Sequence, residues 1–435
     1  MATLPTWLRA ASESHLESPD VKVDVLVIGG GTAGTVAAIQ AARAGARTML
    51  VEMGSQLGGA TTTGGVTAVQ LFHAWGRQVI AGIGWELISR AVELDGAKLP
   101  DFSRIPSSGG TPVGVNGPLY AAVAEEACIG TGVTLAYYEL PLSVRSAAGG
   151  WEVATVGKGL RRTIHCRQLI DCTGGADIVG LIGLPRLRET EMQPGTLRFV
   201  LGGYETAKLD AKEIEKRYQQ ALRDGILKEG DYCYANRPFM DFLKAGGSNL
   251  QHIFGADSST SATMTQANIA GRTSILRLLR FIRTLPGGAG VKVLKMQPET
   301  AVRETYRIIG EVLITRQDYE SGRVFDDAVG YSFYPIDVHD REGVEPQPLK
   351  RGVVPTIPLR ALVPKGSQNL MVAGRSISSD RAANSALRVQ ASCMAMGQAA
   401  GAAAALACRK QVSPLQVPIA EIRALLSQHG AILQT

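Results

Sequence analysis

Residues 23–28 (VDVLVI) form a short, nearly continuous apolar run rich in β-branched side chains. That is the pattern of a parallel strand buried on both faces. A glycine-rich turn follows at 29–34. Residues 35–44 then read as an Ala-rich helix closed by Gly45, and 48–51 as a second buried strand ending at Glu52. Strand, turn, helix and strand in about 30 residues make the minimal parallel crossover unit.

The pattern changes further along. Residues 54–65 are rich in Gly and Thr, 80–94 and 118–129 are helical in period, and the stretch between, with Pro100, Pro106 and Pro112, reads as loop. Segments 133–138, 142–145, 151–156 and 163–166 alternate like strands with glycine turns between them. Residues 169–173 are another buried strand, entering Gly174-Gly175, and 369–373 run into Gly374. From about 186 to 350 the texture is different, with charged helices at 211–222 and 268–284 and strands near 197–201 and 291–296. Residues 382–406 read as a small-residue helix that breaks or turns near Gly397 and Gly401. A last helix spans 413–429, stopped by Gly430.

Composition narrows the class. The 435 residues are 45% hydrophobic and 19% charged, with a net charge of +6, the balance of an ordinary globular protein. No uninterrupted apolar run is long enough to predict a membrane span, and residues 1–20 lack the apolar core of a secretion signal. Six cysteines without a CxxC describe neither a disulfide scaffold nor a metal site, and a reducing cytoplasm fits them best. Basic residues form no run longer than a pair, which argues against nucleic acid as a partner. The anomaly is the 50 glycines, which are clustered.

The first cluster, Gly29-Gly30-Gly31-Thr32-Ala33-Gly34, matches GxGxxG in its full context of strand, helix and a following acid. Gly29 permits the tight turn, Gly31 lets a pyrophosphate approach the backbone, and Gly34 lets helix and strand pack closely. The helix start at Thr32 and Ala33 offers N–H groups to phosphate. Glu52 is placed to accept from ribose hydroxyls and would repel a 2′-phosphate. The motif does not choose between FAD and NAD, but the later clusters do. Leu57-Gly58-Gly59, running on through Ala60, Thr61, Thr62 and Thr63 after Met53, is a loop with few side chains that suits a flat ring and its chain. Thr173 and Gly174, with Asp177, and then Gly374 and Arg375, repeat the strand-to-glycine logic. In a parallel sheet such strand ends line the ligand crevice.

These motifs resemble those of the FAD-dependent oxidoreductases with the glutathione-reductase-like FAD-binding fold, related to the fumarate reductase and succinate dehydrogenase flavoproteins. The likeness covers roughly residues 20–410 and rests on VDVLVIGGGTAGTVAAIQAARAGA, VE with LGGATTTGG, LIDCTGGADIVGL, VRETYRIIGE, GRVFDDAVGYSFYPIDVHD, NLMVAGRSIS and ALRVQASCMAMGQAAGAAAALA. It implies one FAD per chain and redox chemistry at the flavin, without naming a substrate. Two departures are visible: Gly175 stands where relatives carry an acid, and 376–381 lack the Cys and later His-Glu pair often found there. The expected fold is α/β. A Rossmann-like FAD-binding domain with a parallel sheet, discontinuous in sequence, spans 21–185 and 352–412. An inserted α+β substrate domain occupies 186–351, a polar extension 1–20 and a C-terminal helix 413–435.

The catalytic candidates are His339, closing the rigid YPIDVH segment, His252, and His73 just after the loop expected over the flavin. Arg303, in RETYR with Arg307, is a candidate for binding a carboxylate or oxyanion. Gly397 and Gln398 are expected at a helix start facing the polar edge of the ring. The cysteines read as packed thiols, and no metal is expected. The activity expected is hydride transfer between flavin N5 and a small hydroxylated or carboxylated molecule, with a separate electron acceptor and a homo-oligomer allowed. A flavin monooxygenase or halogenase is the alternative, although the chain has no second GxGxxG for a pyridine nucleotide. A non-enzymatic binder is a further one.

Overall fold

The apolar run at 23–28 lies inside β1 (Asp20–Ile28), with Val25, Leu26 and Val27 excluded from solvent. It feeds α1 (Thr32–Arg43) and β2 (Thr48–Glu52). Two further helices, α2 (Ile83–Leu94) and α3 (Gly117–Gly130), precede β3 (Thr134–Tyr137). Then come β4 (Leu140–Ala147), β5 (Gly150–Gly157) and β6 (Leu160–Asp171). Much later β7 (Leu370–Val372) returns to pair with β6. The parallel strands lie in the order β3-β2-β1-β6-β7, and the β4-β5 hairpin joins antiparallel to the first half of β6. This computed structural model describes residues 18–104, 110–341 and 343–433, so nearly all of the expected N-terminal extension lies outside the described residues.

The observed α/β fold with a parallel sheet is the expected one, and it is assembled from both ends of the chain. One strand was expected as two: 163–166 and 169–173 are both parts of β6. Its two halves have different neighbours. The first half pairs with the hairpin and alternates between exposed and buried. The second half runs between β1 and β7 and is buried on both faces, so its pattern is continuous.

Side chains alternate across the sheet. Val25, Val27, Leu50, Ile170 and Met371 enter the core shared with α1, α2, α3 and a long late helix. Leu26, Ile28, Met49, Val51 and Leu169 enter a second core, with Val153, Ile164 and Ile178. A third core is separate. There Phe199, Tyr218, Phe239, Phe242 and Phe281 pack around α4 (Ser261–Thr284), with Tyr218 stacked on Phe239 at 4.5 Å between centroids. Its sheet sets Phe199–Gly202 between Gly247–Ser248 and Lys292–Met296. Ile314, Tyr319, Val329, Ile336 and Leu349 instead join the first core and Ile308 the second, so the segment 186–351 contributes to all three.

The late helix is α5 (Gln390–Lys410), and it corrects one expectation. The chain breaks at Arg388–Val389, after the short helix Arg381–Leu387, and α5 runs unbroken through Gly397 and Gly401. Both glycines serve close packing. A Cβ on Gly397 would stand 2.1 Å from the Ala33 carbonyl oxygen, and one on Gly401 2.3 Å from that of Ala37. By length and composition α5 is apolar enough to cross a membrane, with a mean hydropathy of 1.3, but 94% of that window is buried inside the fold. Gly397→Val should therefore cost about 1–3 kcal/mol by overpacking the α1–α5 contact. Urea unfolding should show an earlier midpoint with an unchanged slope, and an unchanged midpoint would refute the packing role.

Candidate functional site

The three motif glycines have three separate reasons to be glycine. Gly29 has φ +99°, and a Cβ there would lie 2.5 Å from the Cys172 carbonyl oxygen on the neighbouring strand. A Cβ on Gly34 would stand 1.8 Å from the Gly29 carbonyl oxygen. Gly31 is the opposite case, because a Cβ there meets nothing within 4 Å. Gly31 is also the N-cap of α1 and offers no capping side chain, so the first-turn N–H groups, those of Thr32 and Ala33 among them, face that open space without an intrahelical partner.

Glu52 is held from both sides. Its Oε2 accepts from the Gly30 N–H at 2.6 Å and its Oε1 from the Gly54 N–H at 2.6 Å. Burial pushes its carboxyl above the usual range, the two backbone bonds pull it down, and Glu299 pushes it up again. Each oxygen still has a lone-pair site for a hydroxyl donor. Met53 beside it is 52% exposed.

A second glycine loop leans on the first. The Gly58 N–H donates to the Gly30 carbonyl at 2.9 Å, and Thr32 Oγ1 donates to that of Gly58 at 3.2 Å. A Cβ on Gly59 would come within 2.9 Å of the Gly31 Cα. Two backbones thus meet with almost no side chain between them. Ala60 faces solvent, Thr62 Oγ1 donates to the Leu57 carbonyl at 2.7 Å, and Thr63 Oγ1 accepts from Gln56. Thr61 Oγ1 is buried with no partner, which leaves an orphaned polar atom in this loop. An open cradle at Gly31, lone pairs on Glu52 and a free hydroxyl on Thr61 fit a dinucleotide.

The other strand ends are tied together by residues that do more than leave space. Thr173 Oγ1 donates to Asp171 at 2.7 Å and accepts from the Asp177 N–H at 3.0 Å. Asp171 escaped the sequence reading, although an acid at the end of a continuous apolar strand is a visible signal. Burial pushes it up to about 6, against the hydrogen bond from Thr173, and its other oxygen accepts from the Ile178 and Val179 N–H groups. Asp177 is raised by burial, with Arg186 opposing. Gly374 has φ +102°, and a Cβ there would stand 3.3 Å from the Ala33 Cβ. Arg375 acts as a strut. Its Nε donates to the Gly174 carbonyl at 2.6 Å, Nη1 to that of Val302, and Nη2 to Ser258 Oγ at 3.1 Å.

Gln398 is a correction that follows from the unbroken α5. It is buried, accepts from the Ile83 N–H at 3.1 Å, and donates to Gln40 and to the His429 carbonyl, both at 3.2 Å. It joins α1, α2 and the C-terminal segment and is committed to the protein's own polar groups. The helix start lies instead at Gln390, whose Nε2 donates to the Val66 carbonyl at 2.8 Å, while the Ala391 N–H reaches that of Gln70 at 3.0 Å. His73 also has other business: its Nε2 accepts from the Thr111 N–H at 3.1 Å and its ring stacks on Phe102 at 4.9 Å.

The remaining candidates meet. His252 Nε2 and His339 Nδ1 share a hydrogen bond of 2.9 Å, and His339 Nε2 lies 3.3 Å from Asp337 Oδ2. Burial works against ionisation of Asp337, but the bond from His339 and the charges of Arg388 and Arg303 keep its carboxyl below the usual range. An ionised Asp337 requires His339 to donate from Nε2, so His339 Nδ1 accepts and His252 donates. Arg303 is fixed by the Pro194 carbonyl at 2.5 Å and Thr196 Oγ1 at 3.1 Å, and burial lowers it to about 10. Arg307 is used elsewhere, on Glu189 and the Ser379 carbonyl.

Arg388 is the residue the sequence reading missed. It is the single charge between residues 382 and 408, which is the signal that was there to be read. It donates to the Asp337 carbonyl at 3.2 Å, lies 3.6 Å from Asp337 Oδ2, and keeps a buried Nε without a partner. Gln193 links the group onward, accepting from the His339 N–H at 3.0 Å and donating to Glu304 at 2.8 Å.

Burial and the charge of Arg303 lower His252 to about 3 and His339 to about 4, from 6.5. A folded value below the unfolded one means the native state resists the proton. Stability present above pH 6.5 is lost as pH falls from there through about 4. Thermal melts of the wild type should show that loss, and His252→Gln with His339→Gln should flatten it. An equal slope in the variant would contradict the burial.

All six cysteines are buried and free, and no group of three or more metal-ligating residues occurs among the described residues. Residues 24–426 match the family described as FAD dependent oxidoreductase. Comparison with curated proteins finds no match. Among solved structures, the chain is similar to a geranylgeranyl bacteriochlorophyll reductase-like protein from Thermoplasma acidophilum, with 12% identity over 94% of this chain and 84% of that one and a TM-score of 0.45. The flavin-dependent brominase Bmp2 matches at 11% over 93% and 83%, with a TM-score of 0.44. The anhydrotetracycline hydroxylase OxyS from Streptomyces rimosus matches at 16% over 45% and 41%, with a TM-score of 0.31.

Proposed function

The chain belongs to the family of FAD-dependent oxidoreductases, and we propose that it oxidises or reduces a small polar molecule, hydroxylated or carboxylated, at the His252–His339–Asp337 group. The observation that carries this reading is that hydrogen-bonded chain set beside two cations, Arg303 and Arg388. When bound, FAD supplies a two-electron couple that accepts or gives a hydride at N5. The residues that would hold it are the turn at 29–34, Glu52, and the loop at 58–63. A kinship with glutathione-reductase-like and fumarate reductase flavoproteins is part of the same proposal, supported by the three glycine-ended strands.

The protein's own groups divide the remaining work. The two histidines are neutral at neutral pH; both ring nitrogens of His339 are engaged, so a substrate proton is taken at His252 Nδ1, and the His339–Asp337 pair behind it stabilises the imidazolium that results. Arg388, with a free Nε–H, and Arg303 bind an oxyanion. Their partial burial strengthens that attraction. Arg388 stands just ahead of α5, and Gln390 and Ala391 in its first turn bond to the chain just after the loop at 58–63. That continuity supports placing substrate and flavin together.

The test is an anaerobic visible spectrum of the purified protein during addition of a metabolite panel. Bleaching by one hydroxylated or carboxylated compound is the expected result. Bleaching by reduced pyridine nucleotides alone would overturn the dehydrogenase reading in favour of a monooxygenase or halogenase.

A further inference from the structure

At the opposite edge of the sheet, where the parallel strands begin, the molecule has an open cleft of about 800 Å³. Its walls are the start of β1, the turn between β4 and β5, the middle of β6 and the C-terminal end of α5. Val23 in that wall precedes Gly29 by six residues of extended chain, about 20 Å at roughly 3.3 Å per residue. The cleft is therefore separate from the glycine turns.

Its chemistry is one-sided. No Asp or Glu lines it. Arg47 is paired with Asp24 and His165 with Asp20, but Lys22 and Arg167 have no ion-pair partner among the described residues. The two thiols in the wall add no charge, because burial pushes Cys408 up to about 12 and Cys166 higher still. Deeper in the wall, Gln168 is 3% exposed. Its Nε2 donates to Asn369 Oδ1 at 2.9 Å, while its Oε1 is buried with no partner. Buried acceptors are ordinarily satisfied, and an unmet one costs about 1–3 kcal/mol. The wall around it is fixed, since the Asn369 carbonyl accepts from Trp151 Nε1 at 2.9 Å and from the Leu169 N–H at 3.0 Å.

We propose that this cleft is a second binding site, for an anionic small molecule of about mononucleotide size. Its phosphate or carboxylate meets Lys22 and Arg167, and its hydroxyl or amino group donates to Gln168 Oε1. The site does not depend on the activity proposed above.

Titration calorimetry on the FAD-loaded protein tests it, because the dinucleotide site is then filled. The probes are AMP, 4-hydroxybenzoate and uncharged adenosine. The expected result is one site for AMP or for 4-hydroxybenzoate, which tells phosphate from carboxylate. Adenosine should bind at least tenfold more weakly, and the flavin spectrum should stay constant throughout. Lys22→Ala with Arg167→Ala, both on exposed side chains, should weaken binding at least tenfold. Gln168→Leu should weaken it with the cations intact. Absence of binding by both anions at millimolar concentration, unchanged affinity in the Lys22/Arg167 variant, or a flavin spectral shift during titration would each overturn the proposal.

Discussion

Gly31→Val is expected to fold with nearly the melting temperature of the wild-type apoprotein and to purify without flavin. A Cβ at Gly31 meets no protein atom within 4 Å, so the apoprotein loses only the modest preference for glycine over valine at a helix N-cap. The added methyl groups instead fill the space where a pyrophosphate meets the first turn of α1. Overpacking of about 3 kcal/mol corresponds to roughly a hundredfold in affinity. Gly34→Val is the contrasting variant. Its Cβ would stand 1.8 Å from a backbone oxygen that cannot move without opening the turn, so this protein should melt earlier as well as lose flavin. Flavin content by absorbance and melting by circular dichroism separate the two. A Gly31→Val protein that keeps its yellow colour would show that the cofactor does not lie there.

The second large effect is expected at the histidine pair. His252→Ala should slow anaerobic flavin bleaching by the substrate found in the panel by roughly 10²–10⁴-fold, the usual worth of a positioned acid or base. His339 bonds both His252 and Asp337, so its removal breaks the chain in the middle. His339→Ala should cost less, since His252 keeps its Nδ1 and loses only its link to Asp337. Flavin content should be normal in both. The wild-type rate should be level from about pH 5.5 to 8, because histidines lowered to about 3 and about 4 carry no proton there, and it should fall only in more acid solution. A wild-type bleaching rate retained in His252→Ala, or a limb near pH 6.5, would sink the assignment.

The sequence reading was strongest where chemistry is local. Gly29, Gly31 and Gly34 are adjacent in the chain, and the reason for each follows from the turn they make. Glu52 ends the next strand and lies where the crossover unit carries it. The reading was weakest where a residue's job depends on a distant neighbour. Gly397 and Gln398 looked like a helix opening because glycine often ends helices. In the fold they sit in mid-helix, against Ala33 and between Gln40 and Ile83. His73 follows the loop at 58–63 in sequence but turns to Thr111 and Phe102.

The sequence by itself determined the crossover unit and the glycine-ended strands, because turn geometry, strand burial and helix polarity act over a few residues. Only the tertiary structure decided which side chains share a site. His252, Arg303, Asp337, His339 and Arg388 are drawn from a stretch of 137 residues, 252 to 388. Nothing in local propensity or period brings them together; their meeting follows from packing, which buries the polar groups and lets them satisfy one another.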